Sequence, residues 1–170
     1  MGCGKSSIGR RLSELLCCPF MDLDDVIVES AGRSIPEIFA IEGEQAFRQM
    51  ELEALRRMVR KCQFRTSVTS PEDSTLVLAL GGGAVMTKEC AEIVREETCC
   101  VYLKASIETL MEHLSGEADG RPMLQGDSLK DRITTLMAQR SETYEKTAHI
   151  IVDTDGKSIE ATVSEIINLL

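Results

Sequence analysis

"MGCGKSSIGRRL", residues 1–12, decides how the rest of the chain is read. Gly4-Lys5-Ser6 is the end of a phosphate-binding loop, whose full pattern is Gly, four residues of any kind, then Gly-Lys-Ser/Thr, entered from a buried strand. Main-chain N–H groups in such a turn, backed by a helix N-terminus, form a cradle for phosphate. On that reading Gly2, Cys3, Gly4, Lys5, Ser6 and Ser7 hold the phosphates of a nucleotide. Lys5 bridges the outer phosphates and the Ser6 hydroxyl ligates Mg2+. The alternative is a flexible start to an amphipathic helix whose face is Ile8, Leu12, Leu15 and Leu16. The leading glycine of the pattern, and the strand that delivers it, fall ahead of Met1.

Outward from this loop, short apolar runs alternate with segments of helical period. Strands are predicted in "CPFMDLD" near 18–22, "LVLAL" at 76–80, "CCVYL" at 99–103 and "HIIVD" at 149–153. Helices are predicted near 5–16, 23–31, 34–41, 43–62, 87–97, 106–114 and 127–147, with a last one from 158. Strands separated by helices imply crossover connections, hence an α/β fold with a mainly parallel sheet flanked by helices. The polar stretch at 63–75 reads as an exposed loop, and "SGEADGRPMLQGDS" at 115–128, rich in glycine, as a flap.

The totals fit one domain over residues 1–170. A formal charge of −9 argues against nucleic acid or an anionic membrane as partner, while leaving room for a small anion at a local basic cluster. Seven cysteines, none spaced Cys-x-x-Cys and most in apolar runs, suit buried free thiols in a reducing compartment. With no long apolar segment, the expected location is the cytoplasm.

Four further features could carry chemistry. Asp22 and Asp24, in "FMDLDD" at 20–25, stand where an apolar run ends, at the sheet edge where ligands sit in open α/β folds. One could hold the hydration shell of Mg2+ and the other accept a hydroxyl proton; helix N-capping is the competing role. Arg48 lies in line with Leu52, Leu55 and Val59, and Arg140 with Leu129, Ile133, Leu136 and Met137. A guanidinium on a buried stripe needs an anion, either a ligand carboxylate or phosphate or a protein Asp or Glu, unless it lies at the stripe's edge and snorkels. "LALGGGAV" at 78–85 runs a strand into three glycines, which permit close approach of a ligand. Arg121 sits in the flap, and His113 and His149 lack metal or triad spacing and read as structural.

In this order along the chain, "GCGKSSIGRRL", "FMDLDDVIVESAGRSIPEIFAIEGEQAFRQMELE", "LALGGGAV", "GRPML" and "LMAQRSETYEKTA" resemble the shikimate kinases, from Met1 to about Asp155. The resemblance implies a P-loop fold of the nucleoside-monophosphate-kinase type, ATP and shikimate as small-molecule substrates, Mg2+, and a monomer. It implies Lys5 and Ser6 on phosphate and metal, with Asp22 supporting the metal through water. Asp24 would bind the ring hydroxyls and act as base toward the 3-hydroxyl. Arg48 and Arg140 would grip the shikimate carboxylate, with Gly82 lining the ring. Arg121 would be the lid arginine reaching ATP. A substrate-binding helical region over 23–62 and a lid over 113–127 follow. Many members carry an adenine-stacking arginine seven places before the lid arginine, where this chain has Leu114; Arg10 and the "DTDGK" loop at 153–157, which includes Lys157, are the alternative nucleotide contacts. Members also have a first strand and loop glycine ahead of this Met, so the natural protein is expected to begin upstream.

Overall fold

The computed structural model describes residues 2–66, 75–116 and 127–170. Helix α1 (Lys5–Leu15) follows the opening loop, and β1 (Phe20–Asp22) leads directly into α2 (Leu23–Ala31). Asp22 makes that handover possible: it ends the strand in extended geometry, and its Oδ1 accepts the Asp24 backbone N–H at 3.1 Å. The "GRSIPEIF" stretch becomes α3 (Ile35–Ile41), entered through a capping box in which Glu37 Oε2 accepts from Ser34 N at 2.8 Å and Ser34 Oγ at 2.6 Å. Then come α4 (Gly43–Thr66), β2 (Val77–Ala79), a single 3-10 turn at Ala84–Met86 and α5 (Lys88–Glu97). The chain closes with β3 (Val101–Lys104), α6 (Ile107–Gly116), α7 (Asp127–Thr147), β4 (Ile150–Asp153) and α8 (Ile159–Leu169).

All four strands run parallel to their partners, as the crossover pattern requires. They form two ladders rather than one continuous sheet among the described residues. Phe20, Met21 and Asp22 pair with Val77, Leu78 and Ala79, and Val101–Lys104 pair in register with Ile150–Asp153. The described chain divides accordingly into two compact units, one of Gly9–Thr98 and one of Met1–Ile8 with Cys99–Leu170.

In the Gly9–Thr98 unit, the apolar faces of α2, α3, α4 and α5 meet through Leu23, Ile27, Ile38, Leu55 and Val94, all buried. The predicted α4 stripe is the buried one: Leu52, Leu55 and Val59 lie inside. In the other unit, Val152 of β4 is enclosed together with Val163 and Ile166 of α8. A second cluster joins α6 and α7 through Ala105, Leu110, Leu114, Leu129 and Ile133.

The cysteines correct the sequence expectation. All seven are free thiols, but only Cys90 is buried, and Cys17 and Cys99 are exposed. Cys17 and Cys18 fall in the connection between α1 and β1, and Cys99 and Cys100 in that between α5 and β3, outside the elements whose faces form the core. The flap at 115–128, most of the loop at 63–75 and Arg121 lie largely or wholly outside the described residues. No helix among those described is long and apolar enough to cross a membrane.

Candidate functional site

The β1–β2 register brings one set of expected residues together inside the Gly9–Thr98 unit. Asp22 ends β1 opposite Ala79, so the start of α2 and the glycine turn after β2 share the carboxyl edge of this ladder. Gly81, Gly82 and Gly83 form that turn. A Cβ on Gly81 would stand 3.0 Å from Asp24 Oδ1 and 3.4 Å from Glu51 Oε1. A Cβ on Gly83 would stand 2.6 Å from Arg48 Nη1 and 2.8 Å from Nη2. The absence of a side chain here is what lets a guanidinium and two carboxylates close on the backbone. Gly82, the glycine named from the sequence, lies between the two that carry these approaches.

Arg48 has a protein partner. Its Nη1 donates to Glu51 Oε2 at 2.7 Å and its Nη2 to Glu44 Oε1 at 3.1 Å. The two acceptors differ in character, since the Glu51 side chain is 1% exposed and that of Glu44 is 68% exposed. Burial works against the Arg48 charge, and the bonds to Glu51 and Glu44 more than offset it, holding the guanidinium charged. Of the alternatives open at the sequence level, a protein carboxylate is the anion that meets Arg48 in this structure. Glu51 itself was missed. The signal was present, because a Glu three places after Arg48 on the same helix shares its buried stripe.

The other unit holds the phosphate-type loop. Gly2 and Gly4 both take left-handed backbone, with φ of 70° and 73°. Such residues alternating with ordinary ones turn successive N–H groups toward one concavity. Ile8 N donates to Gly4 O at 2.9 Å, so α1 begins at once and Lys5 and Ser6 occupy its first turn, half-buried. Ser7 is exposed and Cys3 packs against the α6–α7 cluster. Gly2 and Gly4 therefore take the left-handed backbone that such a loop uses.

Arg140 is half-buried on α7, on the helix that supplies Leu129 and Ile133 to the core. Leu114, at the position where the resemblance implies an adenine-stacking arginine, is a core residue packed against Gly2. Of the alternative nucleotide contacts, Arg10 stacks over the Phe20 ring at 4.9 Å, and Lys157 Nζ donates to Glu165 Oε2 at 2.5 Å. The "DTDGK" loop is tied to the end of β3. Asp155 accepts the Ser106 N–H at 2.9 Å, and Thr154 Oγ1 donates to Lys104 O at 3.0 Å. Backbone bonding and a Thr109 hydroxyl hold the Asp155 carboxyl below its usual range. The histidines differ. His149 Nδ1 accepts the Cys100 N–H at 3.0 Å, a structural role, whereas His113 reaches back to the main chain of Gly2.

A family model described as shikimate kinase matches residues 1–170. The curated shikimate kinase of Thermus thermophilus is 42% identical over 170 residues, covering 100% of this chain and 85% of that one. That of Geobacter metallireducens is 40% identical over 170 residues, covering 100% and 87%. Among solved structures, shikimate kinase from Acinetobacter baumannii in complex with shikimate superposes with a TM-score of 0.83 at 30% identity, over 99% of this chain and 87% of that one. Shikimate kinase from Bacteroides thetaiotaomicron gives 0.82 at 27% identity, over 99% and 93%. With the loop, the Asp-x-Asp turn and the Arg48 site in place, the chain belongs to the shikimate kinase family and carries its activity, the ATP-dependent phosphorylation of shikimate in the shikimate pathway.

Proposed function

We propose that the phosphoryl acceptor is the 3-hydroxyl of shikimate, bound at the carboxyl edge of β1 and β2, and that the enzyme works as a cytoplasmic monomer on small molecules alone. The observation that carries this reading is the meeting of Asp24, Glu51 and Arg48 over the Gly81–Gly83 turn. A guanidinium fork there suits the substrate carboxylate, and a carboxylate beside it suits a hydroxyl proton. In this reading the substrate carboxylate displaces exposed Glu44 from Arg48 while buried Glu51 stays, so one ion pair is exchanged and the other holds the fork in place. Arg140 is the second grip on that carboxylate, and Gly82 lines the ring. Asp24 orients the 3-hydroxyl and takes its proton as the phosphoryl arrives.

Phosphoryl transfer asks mainly for in-line positioning and for charge on the γ-phosphate to be met by positive groups. Gly2, Cys3 and Gly4 offer main-chain donors, Lys5 a cation, and Ser6 and Ser7 hydroxyls at the head of α1. Arg121 is the lid arginine of this reading, and Lys157 a peripheral nucleotide contact that must first leave Glu165. The donor set also fits Mg2+. Ser6 and Asp22 are hard oxygen donors. Mg2+ is commonly held by one or two protein groups together with phosphate and water. When bound, Mg2+ supplies charge to the phosphates; Asp22, whose Oδ1 already caps α2, would meet it through water.

The test is shikimate-dependent ADP release with ATP and Mg2+, measured beside an Asp24→Asn variant. Turnover far above the ATP-only background, and a drop in kcat of about 100-fold or more on the substitution, is the expected outcome. Full turnover by Asp24→Asn would confine Asp24 to alignment. Phosphorylation at a different hydroxyl, read from the product by NMR, would overturn the assignment of the acceptor.

A further inference from the structure

His113 lies in the last turn of α6, and its Nδ1 stands 2.6 Å from the backbone oxygen of Gly2, a residue 111 positions away. A carbonyl oxygen can only accept, so Nδ1 carries the proton and donates. The peptide plane that holds the Gly2 oxygen also holds the Cys3 N–H, and in a trans peptide the two point to opposite sides. Fixing one fixes the other.

That coupling matters because of the conformation around it. Gly2 and Gly4 are left-handed, at φ 70° and 73°, and left-handed residues alternating with ordinary ones are the arrangement that turns successive N–H groups toward one concavity. A flip of the Gly2–Cys3 plane would turn a carbonyl into the cradle and its N–H out, replacing attraction for an anion with repulsion. Two contacts oppose the flip, and both come from the same turn of α6. His113 holds the oxygen outward, and Leu114 packs so closely that its Cγ would stand 3.0 Å from a Cβ on Gly2. Leu114 is itself held in the cluster with Leu110, Leu129 and Ile133, against which Cys3 also packs.

We propose that His113 is a positioning residue for nucleotide binding, acting through the Gly2 carbonyl to keep the Cys3 N–H turned toward the phosphates of ATP. The inference rests on the reading of residues 2–7 as the ATP phosphate cradle. The role needs one N–H at the position of Nδ1, which the shorter amide of Asn can supply through Nδ2 and Ala cannot.

The experiment compares wild-type enzyme with His113→Ala and His113→Asn in steady-state kinetics, ADP titration calorimetry and thermal melting. His113→Ala is expected to raise the KM for ATP and weaken ADP about fivefold to tenfold, the scale of one lost hydrogen bond. The KM for shikimate stays within about twofold, and His113→Asn recovers most of the ATP affinity. An unchanged KM for ATP in His113→Ala would overturn the proposal. So would equal damage by Ala and Asn, or parallel rises in both KM values, which a merely structural role would give. Should His113→Ala fail to fold, the Asn variant decides: near-normal ADP binding supports the hydrogen bond, and weak binding in a folded Asn variant refutes it. A wild-type enzyme that binds no ADP would instead refute the cradle reading itself, so the two failures are separable.

Discussion

Glu51 is the residue on which the β1–β2 edge turns. A carboxylate 1% exposed survives inside a protein only with a strong partner, and the Arg48 fork at 2.7 Å is that partner. Glu51→Gln keeps the shape and removes the charge. It is expected to cost about 1.5–3 kcal/mol in urea unfolding, the range for hydrogen bonds to charged groups. It should also raise the KM for shikimate while leaving that for ATP alone. Cys17 makes a second residue-scale prediction. It is the one non-glycine residue with positive φ among those described, at 50°, just past the end of α1. An L-residue there carries about 1 kcal/mol of strain that glycine relieves. Cys17→Gly should therefore raise the melting temperature by about 2–4 °C for a chain of this size, less whatever the looser unfolded chain takes back. No sequence pattern announced that backbone angle, because nothing local to "LLCCPF" favours it.

At the scale of elements, nearly everything periodic was legible. The eight helices and four strands of the described residues fall where apolar spacing and turn residues put them, because each buries one stripe or one short run. What escaped is what depends on contacts between elements. The stripe on α4 identified Arg48 as needing an anion but could not choose between a ligand and Glu51. "LALGGGAV" marked a close approach without saying which glycine faced which group. The contact of α6 with the opening loop joins residues 111 positions apart, so no short window of sequence could contain it. The glycine turn gives the sharpest element-scale prediction. Gly83→Ala places a methyl 2.6 Å from Arg48 Nη1, a distance that real Cβ atoms do not tolerate, so the guanidinium must move. The expected result is a KM for shikimate raised about tenfold or more, equivalent to about 1.4 kcal/mol, with ADP affinity unchanged. An unaltered KM would place substrate recognition elsewhere.

For the whole molecule, the thiols report how tightly the interior is closed. Burial, with the negative charges of Glu51 and Glu89 nearby, pushes the Cys90 thiol up to about 11. At pH 8 a thiol of that kind is ionised to only about one part in a thousand, and the thiolate is the reactive form. Iodoacetamide at pH 8 should thus label exposed Cys17 and Cys99 first and leave Cys90 unmodified until the protein unfolds, as peptide mass mapping would show. Raising the pH toward 11 should bring Cys90 into reaction only if the fold also opens. Early labelling of Cys90 at pH 8 would mean that the packing of α4 and α5 opens readily.

The pairing of Arg48 with Glu51 has one more consequence, which concerns where the cost of ordering falls. Stripping water from a guanidinium and fixing its rotamers costs free energy in any binding event that must do it afresh. Here most of that reorganisation happens once, as the chain folds, and the remaining exposed contact to Glu44 is the replaceable one. In the proposed site the substrate carboxylate would therefore meet a fork already aimed, with the ordering cost falling on folding instead of on binding.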